Sequence, residues 1–416
     1  MARSRLLEND LVRAVLAALA VWLLAIMPAQ AMELSRFVNL TDWFTWPRYA
    51  GVDRPGLLSP VYDPARHQKR RADLKQIKRL GFRGIRLGVD PAPFWILDGP
   101  QREQAWVLVF HGVQAALDEG LDVVLDLHPN SRHQLYGEAA VVRGTDDAVF
   151  QAYVRVVAEF ARRLAALPGN RVALELMNEP RLKCAGADQT AWEAKLDAMI
   201  GAARSASADL PVVVTGSCVS AIEGLLALQP ARWPDPKIIF TFHFYEPFVF
   251  THQGAPFIRW PEKHLGNLPW PAAQVVDIGK TMETAEASLA QVDGQQRERV
   301  RADVKRVLVK YVESGVDRRL IERRFALVSA WADKNRISRQ RIFLGEFGVF
   351  GAAAGRPGAS CADRARWLRD MRETADLNRF GWAFFHYDGP FGIMDGGGQQ
   401  AYLAALGLQD AAPCPS

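Results

Sequence analysis

A chain of 416 residues with 49% hydrophobic and 23% charged side chains can bury a sizeable core, which excludes disordered, fibrous and low-complexity classes. Its 51 Lys and Arg against 46 Asp and Glu leave a formal charge of +5, too small and too evenly spread to imply a nucleic-acid partner. The length exceeds that of an ordinary single domain but fits one α/β barrel.

The chain opens with Arg3, Arg5 and Arg13, then an apolar run over 14–27, then Pro28-Ala29-Gln30-Ala31. This charged, apolar and small-residue order is that of a secretory signal peptide, so cleavage is expected after Ala31. Residues 32–416 are expected to be exported, to the periplasm or the medium, as one domain. The apolar run is shorter than the roughly 20 residues a spanning helix needs. Later hydrophobic runs are interrupted by charges, Gly or Pro, so no stable membrane insertion is expected.

Short β-branched or aromatic runs then alternate with longer amphipathic segments. Strands are predicted at 37–40, 84–88, 122–127, 172–177, 212–215, 238–244, 342–345 and 380–385. Helices are predicted at 65–80, 103–119, 147–167, 189–206, 219–228, 320–335 and 363–377. Strands alternating with helices in this way close into a (β/α)8 TIM barrel, an α/β fold. One connection, about 247–319 between the sixth and seventh strands, is unusually long. Its first half holds Phe250, Trp260, Pro261, Pro269, Trp270 and Pro271, and its second, 281–318, reads as a solvated, charged amphipathic helix.

Cys184, Cys218, Cys361 and Cys414 match no short zinc-ligand spacing, and in an exported protein an even set reads as disulfides. Cys184 and Cys218 each follow a strand, which puts them in neighbouring loops at one face of a barrel. We pair those two and leave Cys361 with Cys414 to tie down the C-terminal tail, although four cysteines allow three connectivities.

In such a barrel the active site forms where the strands end. The strand ends carry Arg86, His128, Asn178, Glu179, His243, Tyr245, Glu346 and Trp382. A core of Val, Ile and Leu has no need of so many charges, which are costly to bury unpaired. Glu179 in Leu-Glu-Leu-Met-Asn-Glu-Pro and Glu346 in Phe-Leu-Gly-Glu-Phe-Gly are the main clue. Two carboxylates across a barrel mouth suit glycoside hydrolysis, one protonated to release the leaving oxygen and one ionised to attack the anomeric carbon. For either Glu alone, a helix cap or a rim ion pair with Arg would be the better account. His128 and His133 lie close in sequence but no His-Glu-x-x-His helix accompanies them, and no Gly-x-Ser-x-Gly elbow is present. Gly396-Gly397-Gly398 lacks the context of a phosphate loop.

The sequence resembles glycoside hydrolase family five, the cellulase-type (β/α)8 retaining glycosidases, over essentially all of residues 32–416. The matches are Asn178-Glu179-Pro180, His243-Phe244-Tyr245, Gly345-Glu346-Phe347-Gly348 and Trp382, with Arg86 and His128 completing the family's set of eight. The resemblance implies Glu179 as acid/base and Glu346 as nucleophile. It implies Asn178 on the sugar 2-hydroxyl, Arg86 and Tyr245 holding Glu346 ionised, His243 beside the acid/base, His128 at the floor of the cleaved subsite and Trp382 stacked beneath the pyranose. Trp43, Trp46, Trp95, Trp260 and Trp270 are further loop aromatics, each a saccharide platform or a structural plug. The implied activity is that of an endo-β-glycosidase on β-1,4-glucan, acting as a monomer on a β-linked polysaccharide or oligosaccharide. Another β-glucan, a mannan or a self-made exopolysaccharide is the alternative substrate; transglycosylation and non-catalytic saccharide binding are alternative functions. Neither a metal nor an organic cofactor is implied.

Overall fold

The apolar runs become strands because each is covered on both faces and hydrogen-bonded along both edges, the environment that selects Val, Ile, Leu and Phe in parallel sheets. The computed structural model describes residues 32–130, 132–142, 148–258, 261–351, 358–394 and 398–414. β1 (Phe37–Phe44), β2 (Gly84–Val89), β3 (Asp122–Leu127), β4 (Val172–Glu175), β5 (Val212–Thr215), β6 (Ile238–His243), β7 (Ile342–Phe347) and β8 (Gly381–Phe384) form a closed parallel barrel in chain order. The (β/α)8 architecture expected from the alternating pattern is therefore the one observed, and Leu34–Ser416 make one compact unit.

The helices of more than four residues, in chain order among the described residues, are α1 (Pro64–Arg79), α2 (Gly99–Asp118), α3 (Ala148–Leu164), α4 (Ala187–Ala206), α5 (Ile222–Ala227), α6 (Ile278–Leu289), α7 (Gly294–Ser314), α8 (Arg318–Lys334), α9 (Cys361–Asn378) and α10 (Gln399–Ala405). Local chemistry explains their ends. Asp63 accepts from the Ala65 and Arg66 amides at the start of α1, Pro64 follows it, and Lys78 and Arg79 fill the last turn. In α3, Phe150, Tyr153, Val157, Phe160 and Leu164 recur at helical spacing and form the buried face.

The charged half of the long β6–β7 connection forms two helices, α6 and α7, where one was expected. Asp277 caps α6 and Asp293 caps α7, and α7 ends at Gly315 in the left-handed conformation, φ 55°. Val300, Val304, Leu308 and Tyr311 make the single buried stripe of α7, leaving its charged residues to solvent. Trp270 is a plug: it is 1% exposed, and its indole N–H donates to Asp370 at 2.8 Å.

Two other differences matter at the mouth. β1 continues to Phe44 through an irregularity after Leu40, so Trp43 lies inside the strand. It is buried, stacks on Phe44 at 4.9 Å and donates to Nδ1 of His67 at 3.0 Å, which makes it a second plug. β4 ends at Glu175, yet the Leu176 and Asn178 amides still bond to Val213 and Leu127, so the chain stays on barrel course up to Asn178. The expected leader, Trp260, Gly396 and Gly397 lie outside the described residues. Among the described residues no helix is long and apolar enough to cross a membrane.

Both disulfides form as paired above, Cys184 with Cys218 (Cα–Cα 4.8 Å) and Cys361 with Cys414 (Cα–Cα 5.9 Å). The second joins the start of α9 to the C-terminal tail across 53 residues of chain. Replacing both Cys361 and Cys414 with Ala should lower the unfolding free energy by about 2–4 kcal/mol, with reductant reproducing most of the loss in the wild type. Denaturant titration with and without reductant measures it, and an unchanged midpoint would show that the tail adds no stability.

Candidate active site

The centre of the barrel is a buried guanidinium. Arg86 is the third residue of β2, not its last, and its side chain is fully buried. Its Nε and Nη2 donate to the two oxygens of Glu175, both at 2.7 Å, a bidentate fork. Nη1 donates to Asn39 Oδ1 at 2.9 Å and to Glu346 Oε1 at 2.8 Å. Nη2 also reaches Asn178 Oδ1 at 3.0 Å and Asp126 Oδ2 at 3.2 Å. The planar fork of donors fits this ring of acceptors, which a Lys ammonium could not serve.

Register explains the crowding of carboxylates. Asp126 of β3 is the direct cross-strand partner of Glu175 of β4, so two acids share one face of the barrel lumen. Burial pushes the Glu175 carboxyl up to about 7 despite Arg86. Burial works on Asp126 in the same sense, but Arg86 and His128 outweigh it and hold this acid below its ordinary range.

Above this layer stand the two carboxylates singled out in the sequence. Glu346 accepts from Arg86 and, through Oε2, from the Tyr245 hydroxyl at 2.9 Å. Burial and the neighbouring carboxylates Glu346 and Glu179 raise the Tyr245 phenol, so it remains a donor. Glu179 has no hydrogen bond from Arg86; its partner is Nδ1 of His243 at 2.9 Å. Burial raises the Glu179 carboxyl above its usual value, with His128 and Arg86 opposing from a distance. Oxygens of Glu179 and Glu346 approach within 4.8 Å, with His243 between them.

The proton on His243 can be placed from its surroundings. Nδ1 faces Glu179 and, at 3.6 Å, Glu346, whereas Nε2 is buried without a hydrogen-bond partner. Burial lowers the imidazole to about 4, so at neutral pH it is uncharged with its hydrogen on Nδ1, donating to Glu179. Gly345 makes room for this ring: a Cβ there would stand 3.1 Å from Nε2 and 2.7 Å from Thr241 Oγ1. On the other flank His128 holds Asp126 Oδ2 by Nδ1 at 2.7 Å and faces Asn178 Nδ2 by Nε2 at 3.3 Å. Burial opposes the His128 charge, but Asp126 prevails and raises its pKa.

Seven of the eight predicted site residues therefore converge: Arg86, His128, Asn178, Glu179, His243, Tyr245 and Glu346. Trp382 does not join them. It is 1% exposed, packs against Phe347 and donates from its indole to Asp376 of α9, so it belongs to the layer between barrel and helices. The ring that stands at the mouth beyond β8 is Phe385, half-buried beside Tyr245 at 6.3 Å. Of the loop tryptophans, Trp46 is 40% exposed with the Arg132 guanidinium 5.4 Å over its ring, and Trp95 is half-buried against Tyr153. His133 is a buried loop residue tilted against Tyr49 at 4.1 Å and stacked on Tyr136 at 4.9 Å.

Sequence reasoning passed over Asn39, Asp126 and Glu175, although each is a polar residue inside an otherwise apolar strand, a pattern that demands a buried partner. It also passed over Asp90 after β2, which accepts from the Tyr49 hydroxyl at 2.7 Å and the Ala92 amide at 3.0 Å and is raised to about 7 by burial. Glu138 lines a small recess of about 70 Å³ with His128, Asn178 and Glu179, and accepts from the Arg181 amide at 2.6 Å. Among the described residues Glu179, His243 and Glu346 are also the group of acids and imidazoles close enough to hold a metal ion.

Comparison with known proteins follows the same lines. The family model described as Cellulase (glycosyl hydrolase family 5) matches residues 55–388. Endoglucanase 3 of Fibrobacter succinogenes is 24% identical over 249 residues, 59% of this chain and 34% of that protein. Cellodextrinase A of Ruminococcus flavefaciens is 27% identical over 184 residues, 44% of this chain and 53% of that one. The chain thus spans about a third to a half of the length of these curated relatives. Among solved structures, the cellulose synthase subunit Z of Clostridioides difficile superposes with a TM-score of 0.62 at 22% identity, covering 90% of this chain and 99% of that one. Thermotoga maritima Cel5A in complex with cellobiose gives 0.62 at 19% identity, covering 90% and 97%. At these identities the structures establish the shared barrel.

The Arg86 layer generates a stability prediction. Arg86→Met should lower the unfolding free energy by about 3–5 kcal/mol at pH 7, because buried carboxylates lose their cation. Without it Asp126 loses the charge that holds its carboxyl low, and Glu175, already raised, rises further. The penalty is absent where both states are protonated and grows as pH rises. Urea unfolding at pH 4 and pH 7 should therefore show a smaller loss at pH 4, and an equal loss at both would mean that Arg86 acts by packing alone.

Proposed function

The chain belongs to the cellulase family, glycosyl hydrolase family 5, and from that premise we propose that it is an exported, retaining endo-β-glycosidase that hydrolyses β-1,4-glucan. The observation that carries this reading is the pair Glu179 and Glu346, with oxygens within 4.8 Å in unlike surroundings. Such proximity supports attack by a carboxylate on the sugar itself, since inverting pairs stand roughly 6.5–9.5 Å apart to admit a water. The names of the curated relatives, an endoglucanase and a cellodextrinase, support a β-glucan substrate. Two disulfides support residence in an oxidising compartment, in keeping with the leader-like segment over 1–31.

Each proposed step uses a contact already described. Glu346, braced by Arg86 and Tyr245, attacks the anomeric carbon while the bond to the leaving oxygen breaks. Glu179 passes its proton to that oxygen; its raised pKa suits it to arrive protonated. Because His243 already donates to Oε1, the transferable proton sits on Oε2. In the second half, Glu179 takes a proton from water as the water oxygen displaces Glu346, and the anomeric configuration is restored. Asn178, whose Oδ1 is fixed by Arg86 and whose Nδ2 faces His128 Nε2 at 3.3 Å, has a second amide hydrogen to offer the sugar 2-hydroxyl.

Reducing-end assays on carboxymethylcellulose, mixed-linkage glucan, glucomannan, xyloglucan and laminarin test both enzyme and substrate class. Glu346→Gln should lose turnover while saccharide binding persists, and Glu179→Ala should fall about 10²–10⁴-fold on substrates with poor leaving groups. In the wild type kcat/KM should decline as pH rises through the elevated Glu179 pKa, and this alkaline limb should vanish in Glu179→Ala assayed with an activated aryl glycoside. Azide should rescue that variant with a glycosyl azide of retained configuration. An inverted azide, or full activity in either variant, would overturn the mechanism.

A further inference from the structure

Glu179 stands on irregular backbone: β4 ends at Glu175 and α4 begins at Ala187, so neither strand nor helix fixes residues 179–183. Backbone of that kind keeps one course only where its polar groups find partners. One set of partners comes from the β5–α5 connection. There Cys218, Val219 and Ser220 all have positive φ, at 66°, 51° and 59°, a left-handed run that L side chains adopt only where their surroundings compel it. In that shape the Cys218 amide donates to the Leu182 carbonyl and the Val219 amide to the Pro180 carbonyl, both at 3.0 Å. The Ser217 hydroxyl donates to the Lys183 carbonyl at 3.0 Å, and the disulfide from Cys184 to Cys218 closes the join.

Those contacts use carbonyls, and the Arg181 amide between them is held by a different loop. Its partner is Glu138, the first residue of the helical turn Glu138–Val141 in the β3–α3 connection, whose carboxylate accepts it at 2.6 Å across 43 residues of sequence. A carboxylate on a backbone amide makes a short, charge-assisted bond. Glu138 is 5% exposed, and its own loop is ordered: the His133 carbonyl accepts the Gly137 amide at 3.0 Å and His133 Nδ1 accepts the Leu135 amide at 3.2 Å. Burial raises the Glu138 carboxyl; the Arg181 amide and guanidinium oppose this, and the Glu179 charge adds to it. Glu138 thus shares a recess with Glu179, Asn178 and His128, yet its bond goes to the backbone two residues after Glu179. A side chain so placed acts on the chemistry through position.

We propose that Glu138 is a positioning residue for the acid/base: by fixing the Arg181 amide it sets, through the Glu179-Pro180-Arg181 backbone, where the Glu179 carboxyl meets the leaving oxygen. This rests on the glycosidase reading and adds a residue to it. The test measures kcat/KM of wild type, Glu138→Ala, Glu138→Asp and Glu138→Gln on aryl β-cellobiosides, with thermal unfolding of each. The series runs from dinitrophenyl, whose phenolate departs without a proton, to unsubstituted phenyl, which departs with the proton of Glu179. Asp falls short of the Arg181 amide but keeps the charge, whereas Gln keeps the reach and gives up the charge. Glu138→Ala and Glu138→Asp should lose about tenfold on the phenyl glycoside and less than about twofold on the dinitrophenyl glycoside, since misplacing a catalytic group is costly only where that group acts. Glu138→Gln should stay within about threefold of wild type on both. Equal losses on both glycosides, a Gln variant as impaired as Ala, or wild-type kinetics in Ala and Asp overturns the assignment. If Glu138→Ala does not fold, the Asp and Gln variants decide by the same criteria. If wild type cleaves no cellobioside, the β-1,4-glucan reading falls alone, and the same aryl series on the disaccharide of the glycan it does cleave decides Glu138. If it cleaves no glycoside at all, the glycosidase reading falls and takes the assignment with it.

Discussion

The interaction on which the rest depends is the one between Arg86 and the carboxylates stacked inside the barrel. Glu175, Asp126 and Glu346 are all within 3.2 Å of its guanidinium, in a lumen closed to water on every side but the mouth. Isolated charges at such depth would cost several kcal/mol each. Paired, they make a polar floor that cannot shift without breaking several charge-assisted bonds at once. Asn39 fastens this floor to β7, since its amide donates to the Gly345 carbonyl at 2.9 Å while its oxygen receives Arg86. The residue before Glu346 is therefore held by the same group that orients Glu346 itself.

Above the floor, shape decides as much as charge. The imidazole of His243 can lie between Glu179 and Glu346 because position 345 carries no side chain. With Nε2 buried and unpartnered, the ring has one useful hydrogen and one direction in which to aim it. Tyr245, two residues along, reaches Glu346 from the other side and anchors the turn that begins the insertion. The insertion is thus joined at its root to the catalytic layer, while α6 and α7 add a capped, solvated helix pair farther out.

Much of this was legible in the sequence, for identifiable reasons. Parallel strands buried on both faces read as apolar runs, and all eight appear within a few residues of their predicted places. Glu179 and Glu346 stood out because they end such runs. Asp126 and Glu175 were hidden inside them: a one-dimensional pattern does not reveal that Arg86, many residues away, rises from mid-strand to meet them. Trp382 was misplaced for the same reason. Adjacent strand positions point to opposite faces, and being near the end of β8 does not say whether an indole turns to the cleft or to α9. The Asp376 bond answers that. For Trp43, open between platform and plug in the sequence, the run of β1 past Leu40 decided for the plug by drawing it into the wall.

The same burial acts on every carboxylate at this centre, so burial alone could not make two of them behave differently. What separates them is contact. Glu346 touches a permanent cation, whereas the hydrogen-bond partner of Glu179 is an imidazole whose own charge burial suppresses. A neutral donor orients Glu179 without repaying the cost of ionising it, and its carboxyl is left raised. If His243 were charged, Glu179 would be stabilised as the anion and the asymmetry would shrink. The close packing of His243 against Gly345, which keeps the ring dry, is therefore part of the electrostatics: a side chain at 345 would disturb both the position of the imidazole and the solvent exclusion that keeps it uncharged.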